Sequence, residues 1–183
     1  MDRIVVVDAD PEWPKKFQEI AAYLSPFMGD SIVRIEHVGS TSVPGLAAKP
    51  IIDIDVVVAS EEQVPVVLGQ IESAGYRWVG DLTVKGREAF EPVSARQLAA
   101  HHLYLVVENN RALADHWLLR DALSDDPELI ARYAAIKRDN VVLSGGDGDR
   151  YTALKAAFVA EVLAEARRTR GMEPVTYWEP DLD

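Results

Sequence analysis

A chain of 183 residues, 48% hydrophobic and 27% charged, is long enough for one domain with a sizeable core and has the composition of a globular protein. It contains no cysteine, which excludes disulfides, thiolate metal sites and cysteine nucleophiles. The 30 acidic against 19 basic side chains give a formal net charge of −11, which argues against an extended nucleic-acid partner and favours small anions held by local basic groups.

The apolar run near the start, Ile4-Val5-Val6-Val7, is too short for a secretory segment, and no stretch approaches a membrane span, so a cytoplasmic protein without a membrane partner is expected. Asp10 reads as an N-cap ahead of Pro11-Glu12-Trp13-Pro14, with Phe17, Ile20, Ala21 and Leu24 following at helical spacing. A strand is predicted over 31–38. A second, over 50–58, is apolar at almost every position, as in a central strand covered on both faces. Ser60-Glu61-Glu62 opens a helix carrying Val64, Val67, Leu68 and Ile71 and closed by Gly75. Short strands follow over 76–79, 89–93 and 103–107. From Asn110 onward the pattern is helical, over 111–124, 127–143 and 149–170, with breaks at Asp126-Pro127 and at residues 144–149. The expectation is an α+β (mixed α/β) fold in a single domain spanning 1–183. It comprises a sheet-containing core (1–109), a helical part (110–171) and a surface tail (172–183). The oligomeric state is open, a monomer included.

Strand alternation sends Ile52, Ile54, Val56 and Val58 to one face and brings Asp53 and Asp55 out together on the other, their Cα atoms about 7 Å apart. Both carboxylates can then reach one divalent cation, Mg²⁺ or Mn²⁺. Two acids among isoleucines and valines are costly to bury alone, so a positive group is expected beside them. The plainer alternative is a pair of strand-end acids facing water or held by arginine. The preceding bend, Gly39-Ser40-Thr41-Ser42-Val43-Pro44-Gly45, offers backbone amides where glycine lets an anion approach, together with the hydroxyls of Ser40, Thr41 and Ser42. The two segments together suggest metal-dependent chemistry on a nucleotide. Other motifs fail. The bend lacks the Lys-Ser or Lys-Thr of a Walker A loop, no Gly-x-Ser-x-Gly elbow is present, and Asp147 and Asp149 lead to Thr152 and Phe158 where a calcium loop needs Gly and Glu. The last segment reads as a helix cap.

The run from Ile35 to Ile54, which contains His37-Val38-Gly39-Ser40-Thr41-Ser42-Val43-Pro44-Gly45 and Lys49-Pro50-Ile51-Ile52-Asp53, resembles the signature of the GrpB family. So do Asp10-Pro11-Glu12-Trp13-Pro14, His101-His102-Leu103 and the segment from Tyr151 to Phe158, which extends the likeness over roughly residues 8–165. Similar domains are fused behind some bacterial dephospho-CoA kinases. The family resembles the nucleotidyltransferase superfamily, in which a Gly-Ser turn precedes Asp-x-Asp on the next strand. The resemblance implies nucleotidyl transfer from a nucleoside triphosphate to a small-molecule or protein acceptor. In that scheme Asp53 and Asp55 hold Mg²⁺, and Gly39 and Ser40 grip the terminal phosphates. Relatives commonly lack the second acid, so Asp55 favours retained metal binding. A third carboxylate usually completes such a site, yet the strand over 102–107 offers none before Glu108, which reads as solvated.

Where relatives tend to read His-Leu-His, this chain has His102-Leu103-Tyr104. His102 is a candidate metal ligand, acceptor-orienting group or base, with a hydrogen-bonded structural histidine as the alternative. Family likeness makes Lys49 and Lys155 candidate anion contacts, against an exposed loop lysine for the first; Tyr151 shares the helix face of Lys155. His37 is expected to brace the turn. Arg120 and His116 share a face and could hold a substrate anion. Trp13, Trp78, Trp117 and Trp178 are read as packing residues. Three functions remain: a nucleotidyltransferase-like enzyme, a non-catalytic module binding a nucleotide or phosphorylated metabolite, and a metal-dependent phosphohydrolase.

Overall fold

The computed structural model of the chain describes residues 4–82, 84–95 and 97–176; Trp178 and the end of the tail lie outside them. Five strands, β1 (Arg34–Val38), β2 (Ile52–Val58), β3 (Tyr76–Gly80), β4 (Arg87–Pro92) and β5 (His101–Val107), form one sheet in the order β1-β2-β5-β4-β3. β2 and β5 run parallel, and every other neighbouring pair is antiparallel. The architecture is the mixed α/β one expected.

One sheet face carries the main core. Ile52, Ile54, Val56 and Val58 of β2 and Leu103 and Leu105 of β5 are at most 1% exposed. They meet Trp13, Ile20, Leu24 and Met28 of α1 (Trp13–Met28) and Val67 and Ile71 of α2 (Val64–Ser73). Full burial of each such side chain contributes about 1.5–3 kcal/mol. α1 starts later than its cap signal suggests: Asp10 accepts from the Glu12 amide and from Lys16, and the helix begins at Trp13. Ser60 and Gln63 form a reciprocal capping box ahead of α2.

The other face is covered by the helical half. α3 (Arg111–Ser124), α4 (Pro127–Leu143) and α5 (Gly148–Thr169) are each capped by a side chain, those of Asn110, Asp126 and Asp147. Leu113 of α3 packs on Val57 and Val106. The loop between β1 and β2 is unusually apolar. Val43, Leu46 and Ala47 bury themselves against Tyr133 and Ala134 of α4 and Phe158 and Val162 of α5. This plug holds both helices over the turn that leaves β1.

Register then sets the polar layer. Val38 lies opposite Asp53 and Glu36 opposite Asp55 on one side, His102 opposite Asp53 and Tyr104 opposite Asp55 on the other. Directly paired residues share a face, so all these polar side chains look toward α3, α4 and α5.

Candidate functional site

β1 ends at Val38, and Gly39 follows with φ 69° and ψ −168°, a backbone state essentially restricted to glycine. A Cβ here would collide with Asp53 Oδ2, so the turn backbone lies directly against that carboxylate. Ser40–Ser42 form a single 3-10 turn. Two of its hydroxyls face inward: Ser42 donates to the Gly39 carbonyl at 2.7 Å, and Thr41 pairs with His37 Nε2 at 3.0 Å. His37 also stacks on Phe17 at 4.8 Å, and burial pushes its pKa down to about 4, so it is neutral at ordinary pH. It braces the turn, as expected. The Ser40 hydroxyl instead meets α4, where it accepts from Lys137 at 3.0 Å.

Each aspartate carries an imidazole partner. Asp53 Oδ1 accepts from His102 Nδ1 at 2.8 Å and Asp55 Oδ2 from His116 Nδ1 at 2.7 Å. Burial pushes Asp53 up, but the hydrogen bond and charge of His102, with Lys155 and His116, bring it below the usual carboxylate range. Burial would likewise lower His116; the hydrogen bond and charge of Asp55, with Asp53 behind it, win and raise it. Asp55 is wholly inaccessible, and among the described residues its Oδ1 has no hydrogen-bond partner.

Two expectations fail here. Arg120 does not join His116 at an open anion site: it reaches Glu36 Oε2 at 3.4 Å, the His37 carbonyl at 3.5 Å and Asp121 at 3.3 Å, while His116 turns to Asp55. Glu108 is not free in solvent but bonds Arg34 at 2.6 Å. Arg120 helps to neutralise Glu36, which stands opposite Asp55 in the ladder, and Arg34 pairs with both Glu36 and Glu108.

Three lysines converge above the turn. Lys137 of α4, 2% exposed, donates to Ser40 Oγ at 3.0 Å and lies 4.2 Å over the Tyr133 ring. Lys49 and Lys155 share the Tyr151 ring, at 5.2 and 5.7 Å from its centroid. Among the described residues none of the three forms an ion pair, whereas Lys15 and Lys16 on exposed α1 both do. Burial, then the charge of Lys155, pushes Lys137 down to about 7. Burial also lowers Lys155, although Asp53 pulls it upward. The sequence reading named Lys49 and Lys155 and missed Lys137. Its signal was present: Tyr133, Lys137 and Asn140 of α4 and its C-cap Ser144 recur at helical spacing and are buried, a polar stripe where apolar residues would ordinarily stand.

The fit to a cation rests on Asp53 and Asp55. Among the described residues no three His, Asp or Glu side chains cluster as a metal site. Mg²⁺ is commonly held through one or two carboxylates, with phosphate oxygens and water completing its shell, so two acids suffice when a phosphorylated ligand is present. The unpartnered Oδ1 of buried Asp55 fits such a cation, because a buried carboxylate oxygen otherwise finds a donor.

The sheet order, the glycine turn against Asp53 and the flanking helices define a nucleotidyltransferase-like fold. Cid1 in complex with its short product ApU superimposes with a TM-score of 0.52 at 12% identity, over 72% of this chain and 42% of that one. The GLD-2/RNP-8 complex superimposes with a TM-score of 0.56 at 12% identity, over 96% and 75%. Both are likenesses of fold. Residues 3–165 match the family described as GrpB protein, and the chain belongs to that family. The crystal structure of the conserved protein GrpB from Enterococcus faecalis aligns with a TM-score of 0.79 at 29% identity, covering 91% of this chain and 99% of that one. The UPF0157 protein YqkA of Bacillus subtilis is 32% identical over 136 residues, 74% of this chain and 39% of the relative. A dephospho-CoA kinase of Mycolicibacterium paratuberculosis is 28% identical over 198 residues, 96% of this chain and 48% of the relative. The chain thus spans less than half the length of these two relatives. Among the described residues no helix is long and apolar enough to cross a membrane.

Proposed function

We propose that the protein binds a nucleoside triphosphate at the Gly39–Ser40 turn and transfers its nucleotidyl group to a small-molecule or protein acceptor. The observation that carries this reading is the lysine trio. Three lysines, none of them in an ion pair among the described residues, gather at Ser40 and the neighbouring Tyr151 ring in a chain of net charge −11. Such a group matches a polyphosphate.

In this reading the polyphosphate lies along the turn amides, Ser40 Oγ and Lys49, Lys137 and Lys155. Asp53 and Asp55 would hold Mg²⁺ or Mn²⁺, which supplies charge stabilisation at the α-phosphorus. The acceptor hydroxyl forms the new P–O bond while the bond to the β-phosphate oxygen breaks and pyrophosphate leaves. With His102 donating Nδ1–H to Asp53, Nε2 of this exposed ring would take the acceptor's proton. Thr41 and Ser42 serve by shaping the turn.

A binding module without turnover is the second reading. It is favoured by His102 and Tyr104, which stand in register with the aspartates where a further carboxylate would complete a metal site. Incubation with labelled nucleoside triphosphates and Mg²⁺ or Mn²⁺, following binding, pyrophosphate release and the fate of the nucleotide, separates these readings. Transfer should be lost in Asp53→Asn and Asp55→Asn with the fold intact. Nucleoside monophosphate as the product would indicate hydrolysis, binding alone would leave the module, and no binding would overturn both.

A further inference from the structure

On the far side of the aspartates from the lysines stands a cationic group that the function above does not use. Arg87 of β4 is in register with Val106, two residues along β5 from Tyr104, and so shares the face of Tyr104 and Asp55. Its guanidinium lies 4.3 Å over the Tyr104 ring. The Tyr104 centroid is in turn 6.3 Å from that of His102 and 6.4 Å from that of His116. Arg87 Nε is buried and, among the described residues, has no hydrogen-bond partner. Among the described residues the guanidinium meets no carboxylate, and the Tyr104 hydroxyl makes no hydrogen bond. Most other described arginines bond an acid, among them Arg34, Arg77, Arg120, Arg132, Arg138 and Arg168; Arg150, which does not, is exposed, whereas Arg87 is half-buried. With 30 acidic residues in the chain, an arginine held over a tyrosine and left without one is a notable exception.

The strand order gives this exception a direction. The phosphate turn leaves β1, on one side of β2. Arg87 sits on β4, two strands away on the other side, about 10 Å across the sheet. A ligand anion there would lie beyond Tyr104 and the exposed ring of His102, with the aspartates between it and the polyphosphate. The planar guanidinium fork suits two oxygens of one carboxylate or phosphate.

We propose that Arg87, Tyr104 and His102 form an acceptor subsite, and that it takes a small acceptor carrying a carboxylate or phosphate group. This rests on the nucleotidyl-transfer reading for its role, but not for the anion site itself. Arg87 binds the anionic group, the Tyr104 hydroxyl donates a further hydrogen bond, and the acceptor's reacting hydroxyl is turned toward His102 and Asp53.

The test uses ¹⁵N-labelled protein and three probes: inorganic tripolyphosphate, succinate and methyl phosphate. Tripolyphosphate should shift the amides of Gly39, Ser40 and Lys137. With it saturating, succinate or methyl phosphate should shift those of Arg87, His102 and Tyr104, and whichever does so names the acceptor's anionic group. Arg87→Gln should weaken the second event by roughly tenfold or more and leave the first within about twofold, with Lys137→Met doing the reverse. Arg87→Lys, which keeps the charge and loses the fork, should fall between. Displacement of tripolyphosphate by the small anions, or an unchanged second event in Arg87→Gln, overturns the proposal. If tripolyphosphate fails to bind while the Arg87-dependent event persists, the anion site stands and the polyphosphate reading falls.

Discussion

The two faces of β2 are made from the same short strand and obey opposite rules. On one, Ile52, Ile54, Val56 and Val58 are at most 1% exposed and meet α1 and α2 with every contact satisfied. On the other, Asp53 and Asp55 are held by imidazoles, and among the described residues one buried oxygen has no donor and three lysines and an arginine stand close by without a carboxylate partner. The first face stabilises the fold. The second leaves charge unmatched, and it is from those unmatched groups in an otherwise consistent structure that the proposed ligand site is argued. Ile54→Ala should therefore lower stability by about 2–5 kcal/mol, whereas Asp53→Asn, one residue away, should cost about 1 kcal/mol or less. Urea denaturation of the two variants checks this. Equal losses would erase the distinction between the faces.

The Asp55–His116 pair sharpens it, since here the site face also carries stability. His116→Ala strips a fully buried carboxylate of its hydrogen-bond donor and should cost about 3 kcal/mol. The pH dependence has a definite sign. Because the folded pKa of His116 is raised above 6.5, its contribution is fully present below 6.5 and is lost as pH rises through the raised value. The gap between the wild type and His116→Ala should thus be widest between the carboxylate range and 6.5, and narrow at higher pH. Denaturation at a series of pH values reads it, and a gap that widens with pH would contradict the assigned pair.

A third variant probes the junction of turn and carboxylate. Gly39→Ala places a methyl group into Asp53 and forces a backbone state that alanine avoids, at a cost of about 1–3 kcal/mol. It should also abolish tripolyphosphate binding, measured by calorimetry below the shifted unfolding temperature. Retained binding would separate the turn from the anion site.

What was legible in the sequence was what is local. Helices over 111–124 and 127–143 were bounded by Asn110, Asp126 and Pro127, whose capping roles act within a few residues. The shared face of Asp53 and Asp55 followed from strand alternation alone, and the Gly39 turn lies one short loop before them. The rest depends on distant parts of the chain. His116 reaches Asp55 across 61 positions and Lys137 reaches Ser40 across 97; the polar spacing marks Lys137 on α4, but no local pattern names the partner that helix packing brings to it. Arg87 faces the site only because β5 inserts between β2 and β4, a topological fact. Glu108 and Arg120 were misread for the same reason: their partners, Arg34 and Glu36, belong to a strand far earlier in the chain.

Lys137 gives the comparison its finest test, because its removal should hardly affect the fold and yet disable the site. Burial and the charge of Lys155 hold it at about 7, far below the 10.5 of a free lysine, so its ammonium form is unfavourable where it lies buried. Lys137→Met removes that burden with similar shape and should leave stability unchanged or raise it by about 1 kcal/mol. Between pH 7 and 10.5 the unfolded chain binds the proton that the folded chain has released, so this group makes wild-type stability rise with pH, and the methionine variant should lose that slope. A polyanion reverses the preference. It binds the ammonium form, so tripolyphosphate affinity should decline as pH rises through about 7, with proton uptake on binding above that value. Calorimetry at alkaline pH in two buffers of different ionisation heat measures the uptake directly. In Lys137→Met the affinity should be roughly tenfold lower near neutrality and the uptake reduced. Equal affinity in the two proteins would mean that the lysine serves only to fill the space beside Tyr133, and that the polyphosphate lies elsewhere.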